Sequence, residues 1–556
     1  MTHVRLDRNN LDFAKSPYLL QHAGNPVWWQ EWGKGIIEEA SRRDVPIFVS
    51  SGYATCHWCH VMAAGAFSDD AVAEYLNSHF VCVKVDREER PDIDHYLMDF
   101  LTATTGSGGW PLNAFLTPGL KPIVAFTYLP AQAEGGMPGL LDVAESVNRV
   151  WREEELAAPG FMPSAALPEP VSREQILPAL KRLFDNRSGG FGRCAKFPPH
   201  CSLLYLLHLL EKEESPEAGA MCRKTLDVMR LGGLNDHLQG GVFRYCVDEE
   251  WRIPHFEKML YDQAMGLWCY SLATSVLEDG RYATMAESVA RCLEECFERD
   301  GLFVSAFDAD TDHEEGGTYL WGYDELEGFL SGEDFREMKR VYHIEPGGNF
   351  EGKIHLVKRV DENLPEIEAK LLENRRKRPQ PQADTKLLCG NNALAVMALS
   401  EAGRLLQKRK FSVKALAMGK RMLDVFWDGM RLAHCLSGGA LQEQSFLFDA
   451  AALLATVAAL AKEDPSLRSV SVDLARYVES FRGPEGWVES RPDDFHHVPA
   501  SVFDHPVPSS ASMAEYALVR AALLEGKDTG TPVYRQPFSA DFFNVTALLK
   551  EAGSPD

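Results

Sequence analysis

The chain has 556 residues, 45% of them hydrophobic and 25% charged, with a formal net charge of −24. That length predicts two or more domains, and so acidic a chain excludes a nucleic-acid binder with a basic face. Its 12 cysteines are scattered, which excludes a disulfide framework.

Met1 to Lys15 is polar and mixed in charge, so no secretory signal is read. The longest small-apolar run, Ala450 to Ala461, falls short of the roughly 20 residues of a membrane span. A soluble, cytoplasmic protein with no membrane partner is expected. Residues 16–32, SPYLLQHAGNPVWWQEW, read as an N-terminal wrap whose Trp28, Trp29 and Trp32 pack on the adjoining domain. Gly35 to Arg43 then predicts a helix, and Pro46 to Ser50 a buried strand. The strand feeds Cys56-His57-Trp58-Cys59-His60 at the start of a helix reaching Phe67. Ser68-Asp69-Asp70 caps another helix, to about His79. Phe80 to Asp86 predicts a strand, and Pro91 to Thr104 a helix with proline in its first turn. After Gly106-Ser107-Gly108-Gly109, Leu112 to Leu116 and Pro122 to Thr127 predict two more strands. This alternation predicts a mixed α/β sheet.

An acidic helix comes next, near Asp142 to Leu156, and Glu169-Pro170 marks a boundary between domains over 1–165 and 170–556. Beyond Ser172 strand signals fade. Helical stretches recur at Ser202 to Glu213, Glu217 to Arg230, Tyr261 to Leu277, Tyr282 to Glu298, Asn391 to Leu406, Val413 to Phe426, Ser445 to Ala461 and Ser512 to Leu524. Glycine–aromatic loops between some pairs, such as Gly240-Gly241-Val242-Phe243, predict an all-α (α/α)6 toroid whose loops gather around a cleft.

Three chemistries compete for Cys56-His57-Trp58-Cys59-His60. In a redox dithiol, Cys56 is the nucleophile, Cys59 resolves the mixed disulfide, and a cationic His57 favours the thiolate. In a zinc site, Cys56, Cys59 and His60 are ligands completed from elsewhere; adjacent helical side chains diverge by about 100°, so His57 cannot join them. Covalent haem fits the spacing, but its attachment normally happens outside the cytoplasm. Beyond zinc and haem no cofactor is read.

The second domain carries a polar–aromatic cluster: His237, Arg244, Tyr245, Asp248, Trp251, His255, Glu257, Lys258, Tyr261 and Asp262. Asp308, Asp310 and Asp312 form an acidic group beyond it. Rings that stack on sugar faces, beside carboxylates that accept hydroxyl hydrogen bonds, suit a sugar ligand. A hydrolase needs one protonated and one ionised carboxylate; an epimerase needs proton-transfer groups on both faces of a carbon, for which His237 and His255 are candidates. The bland alternatives are a salt-bridged hinge for residues 255–262 and a solvated loop for residues 308–315.

SPYLLQHAGNPVWW, GYATCHWCHVM, VKVDREERPDID, TGSGGWPLNAFLTP and TYLP occur in that order, succeeded by RSGGFGRCAKFPP and DADTDHEEGGTYLWGYDEL. Together they resemble the spermatogenesis-associated protein 20-like family. The resemblance implies a thioredoxin-like first domain with Trp110-Pro111 in the cis form, facing the dithiol. It implies a six-hairpin-glycosidase-like toroid for the second. A thiol or disulfide protein partner and a sugar ligand are the partners this suggests, alongside a non-catalytic interaction role. The chain departs from the pattern at Ala63-Ala64-Gly65-Ala66, Thr385, Asn391, Ala393 and Ser510-Ala511.

Overall fold

The computed structural model describes residues 6–153 and 160–553. In its first part β1 (Gln30–Glu31), β2 (Ile47–Gly52), β3 (Val81–Asp86), β4 (Leu112–Leu116) and β5 (Pro122–Phe126) form one sheet, ordered β1-β3-β2-β4-β5. β2 runs parallel to β3 and antiparallel to β4, so Val49 stands opposite both Val83 and Ala114. Both β2 and β3 are buried at every position. Helices cover both faces, which is why these strands read as apolar-rich runs rather than alternations. Lys34–Arg43 and Pro91–Thr105 pack on one face; His57–Ala64, Asp70–His79 and Leu140–Arg152 pack on the other. This is the thioredoxin-like arrangement.

The remainder is a helical ring. Six described helices, His200–Leu210, Leu260–Leu277, Cys389–Leu405, Leu447–Leu460, Ser510–Leu524 and Asp541–Gly553, pack side by side in that order, and the last returns against the first. They are apolar around most of their circumference; Leu447–Leu460 is buried everywhere except Phe448. Pro216–Leu231, Gly280–Cys292, Arg409–Phe426 and Arg468–Glu479 each bury a single stripe and lie outside the ring. An inner ring backed by an outer layer is an α/α toroid. Tyr534–Arg535 pairs antiparallel with Pro170–Val171 and ties its end to its start.

The helix expected through Phe67 stops at Ala64, where Gly65 donates its N–H to Val61 and a 3-10 turn takes over. The one expected from Tyr282 to Glu298 is α-helical only to Cys292 and continues as a π turn, Leu293–Phe297. The end expected near Leu156 lies outside the described residues. Trp29 is fully buried against Phe48 and Phe67, as the wrap predicted, and Trp32 packs on Phe495 of the second domain, whereas Trp28 stays 37% exposed. Among the described residues no helix is long and apolar enough to cross a membrane.

Candidate functional site

β2 delivers the chain to Cys56, which caps the helix His57–Ala64: the Cys59 N–H donates to Cys56 Sγ at 3.3 Å. Cys56 and Cys59 are joined as a disulfide, with Cα atoms 5.2 Å apart. They are 3% and 1% exposed, within an apolar cluster that draws Met259 and Ala306 from the second domain. A zinc site through Cys56, Cys59 and His60 would need both sulfurs reduced. The Trp110–Pro111 peptide is cis. Trp110 Nε1–H donates to Asp94 at 2.9 Å, and the Ser51 hydroxyl donates to the same oxygen at 2.6 Å.

Facing this helix is the ring's loop end. His57 Nδ1 lies 2.9 Å from Asp310 Oδ1, and His60 Nδ1 lies 3.2 Å from Asp310 Oδ2. His60 Nε2–H donates to the Ala54 carbonyl at 2.9 Å. Burial, against the pull of His60, raises the Asp308 carboxyl to about 6. The His255 ring stands edge-on to His57 at 6.4 Å and bonds Glu315 through Nδ1 at 2.5 Å.

Behind these lies Glu257, fully buried. Arg244 donates to it at 2.7 Å, the Tyr53 hydroxyl at 3.2 Å and the Thr55 hydroxyl at 3.1 Å. Burial disfavours its charge, yet Arg244 and His255 hold its carboxyl below the usual range. Arg87 lies over the Tyr53 and Trp110 rings at 4.3 and 4.1 Å, a pair of cation–π contacts within the buried interface. Asp262 is buried with neither carboxylate oxygen hydrogen-bonded, and burial lifts its carboxyl well above the usual range. Beside it, burial pushes the Tyr261 phenol up to about 12.

The dithiol and most of the nominated ring residues therefore stand at one place, the contact between the domains. Three nominees also make other contacts, Tyr245 while its ring stands 5.4 Å from that of His255. His237 lines a separate cavity of about 10 Å³ with Asp236, His355 and Arg375. Burial brings its ring down to about 3, and its Nε2–H donates to Gly232 at 2.9 Å. Asp248 accepts the backbone N–H groups of Glu250, Arg252 and Ile253 and holds a turn. Tyr245 stacks on Phe197, ring centroids 4.4 Å apart.

Sequence reasoning missed a second network at the same contact. The fully buried Lys386 meets Asp86, Glu88 at 3.2 Å and Asp384 at 2.9 Å. His434 bonds Asp449 at 2.6 Å and reaches the Glu88 carbonyl at 2.6 Å. The signal available was Asp86-Arg87-Glu88-Glu89-Arg90, a charge run directly after a wholly buried strand.

The family Thioredox_DsbH, described as a protein of unknown function (DUF255), matches residues 8–160. Spermatogenesis-associated protein 20 of Mus musculus is 34% identical over 509 residues, 79% of this chain and 64% of its own length. The Homo sapiens protein of that name is 34% identical over 501 residues, and uncharacterized protein B0495.5 of Caenorhabditis elegans 34% over 465. The chain thus spans 64% of the mouse protein's length and 63% of the human one's. The resemblance carried by the motifs holds as homology: these relatives are 34% identical to this chain over 73–79% of its length. Among solved structures, cellobiose 2-epimerase from Bacillus thermoamylovorans B4167 is 12% identical at a TM-score of 0.31, over 68% of this chain and 95% of that one. A family 76 glycoside hydrolase from a bovine Bacteroides thetaiotaomicron strain is 8% identical at a TM-score of 0.41, over 80% and 84%. The closed ring itself, not these distant likenesses, defines the architecture.

Proposed function

We propose that this protein is a thiol–disulfide oxidoreductase working through Cys56 and Cys59. The observation that carries the reading is the disulfide at the first turn of His57–Ala64, where the Cys59 N–H points at Cys56 Sγ. In the reducing direction the Cys56 thiolate attacks one sulfur of a partner disulfide, and the partner's other sulfur leaves as a thiolate. Cys59, deprotonated, then attacks Cys56 Sγ; the Cys56–Cys59 bond re-forms and the second partner thiol departs, two electrons having passed to the partner. Arg244 and Glu257, nominated for a sugar cleft, are spent on each other as an ion pair at 2.7 Å, which favours redox over carbohydrate chemistry.

The test is the reduced Cys59→Ser variant incubated with oxidised glutathione. It is expected to stall as a mixed disulfide located on Cys56 by peptide mass mapping and reversed by dithiothreitol, while Cys56→Ser carries none at Cys59; any adduct on the exposed Cys194 is common to both variants. Absence of that adduct, in a variant that keeps the wild-type circular dichroism spectrum, refutes the reading.

A further inference from the structure

We propose that His60, Asp308 and Asp310, with His57 beside them, bind a divalent transition-metal ion of the zinc class that bridges the two domains. One ligand atom from each of His60, Asp308 and Asp310 lies within 4.8 Å of the others, and His57 Nδ1 is 2.9 Å from Asp310 Oδ1. Tetrahedral zinc with bonds near 2.1 Å sets its ligand atoms roughly 3.4 Å apart. Small side-chain rotations close the difference.

Hydrogen bonding already orients His60 as a ligand. Its Nε2 is 2.9 Å from the Ala54 carbonyl oxygen, which only accepts, so Nε2 carries the proton. A neutral ring then turns the bare lone pair of Nδ1 toward Asp310 Oδ2, 3.2 Å away. Two acceptors at that distance repel unless positive charge stands between them, either a second ring proton or a cation.

Asp308 tips the choice. It is a second carboxylate, 5% exposed, with Oδ2 3.8 Å from His60 Nε2. A second ring proton pairs the imidazolium with Asp310 through Nδ1 and reaches Asp308 only at 3.8 Å through Nε2, whereas a metal ion binds carboxylates directly; buried charges are paired or coordinate metals. A histidine whose far nitrogen donates to a backbone carbonyl also has the outer hydrogen bond of metal-ligating histidines. Imidazole with carboxylate suits Zn²⁺ or Mn²⁺, whereas Ca²⁺ and Mg²⁺ take oxygen ligands. The site needs no thiol and is independent of the redox reading. Because His60 comes from the first domain and both aspartates from the second, the ion clamps the contact that covers the disulfide.

The whole chain, stripped by chelator and titrated with Zn²⁺ or Mn²⁺ alone, is expected to bind one ion by calorimetry and elemental analysis. Asp310→Asn and Asp308→Asn are each expected to weaken binding more than about 100-fold, and Cys56→Ser/Cys59→Ser to leave it unchanged. X-ray absorption should show nitrogen and oxygen around the metal and no sulfur. The proposal is overturned by no saturable binding, by sulfur in the coordination shell, or by full affinity in both aspartate variants. Circular dichroism of the metal-free variants checks that weakened binding is not unfolding.

Discussion

Lys386→Met should break the domain contact at a fully buried charge. The side chain is 0% exposed and meets Asp86 and Glu88 of the first domain and Asp384 of the second. Glu88 also accepts the Ser305 hydroxyl at 3.0 Å, so it cannot turn away to water. At an effective dielectric near 20, unit charges about 3 Å apart attract by roughly 5–6 kcal/mol, and the cost of desolvating both ions offsets much of that. Methionine removes the attraction and leaves the carboxylates desolvated, so the expected loss is about 3–5 kcal/mol. Because two domains can unfold separately, the assay is calorimetry resolved into transitions alongside guanidinium unfolding tracked by tryptophan fluorescence. Adding Glu88→Gln to Lys386→Met removes one stranded charge and should recover at least about 1 kcal/mol. A loss below about 1 kcal/mol, or a double variant no better than the single, refutes the reasoning.

Buried groups away from the disulfide give two further outcomes. Lys84 is fully buried, donates to Ser50 at 2.8 Å and lies 4.3 Å from the Phe67 ring centroid, and burial pushes its amine well below the usual value. Lys84→Met should therefore raise stability by roughly 1–4 kcal/mol at pH 7. Because burial lowers the folded amine, the unfolded chain holds the Lys84 proton more tightly, so wild-type stability gains a component that rises with pH until the unfolded amine titrates near ~10; denaturant midpoints at pH 7 and 9 that leave the variant's advantage unchanged refute this. Burial lifts the carboxyls of Asp384 and Asp504 to about 7 each, so the folded chain binds more protons than the unfolded one above pH ~4. Their contribution is full below pH ~4 and is lost as pH rises through 7, about 1–2 kcal/mol of it between pH 6.5 and 8. A flat denaturant midpoint across that window contradicts the assignment.

Much of the fold is legible because it is local. A five-residue apolar run is enough to mark β2, and Leu447–Leu460 announces an inner helix by being apolar everywhere but Asp449 and Thr456. The closing helix Asp541–Gly553 is not marked by its sequence, because Asn544 and Thr546 interrupt its apolar pattern. Asn544 binds the Arg535 backbone and Thr546 the Phe542 carbonyl. The site was legible only in halves. His57 meets Asp310 across 253 positions of chain, and Lys386 meets Asp86 across 300. No periodicity or spacing encodes such a meeting, so a dithiol and a cleft were read where there is one contact.

That contact changes what a redox partner must do. With Cys56 3% exposed and Met259 and Ala306 in its apolar cluster, a folded protein cannot bring a disulfide to Cys56 Sγ while the domains are closed. A tripeptide disulfide needs far less room than a protein. Opening must break the His57–Asp310 pair, the Glu257 bonds to Tyr53 and Thr55, and the Lys386 bonds to Asp86 and Glu88. These bonds join residues of different domains, so they resist separation without stiffening either domain alone. On the redox reading, the helical ring thus acts as a cover whose closure sets the accessibility of the dithiol, and the Lys386 cluster supplies much of the resistance to opening.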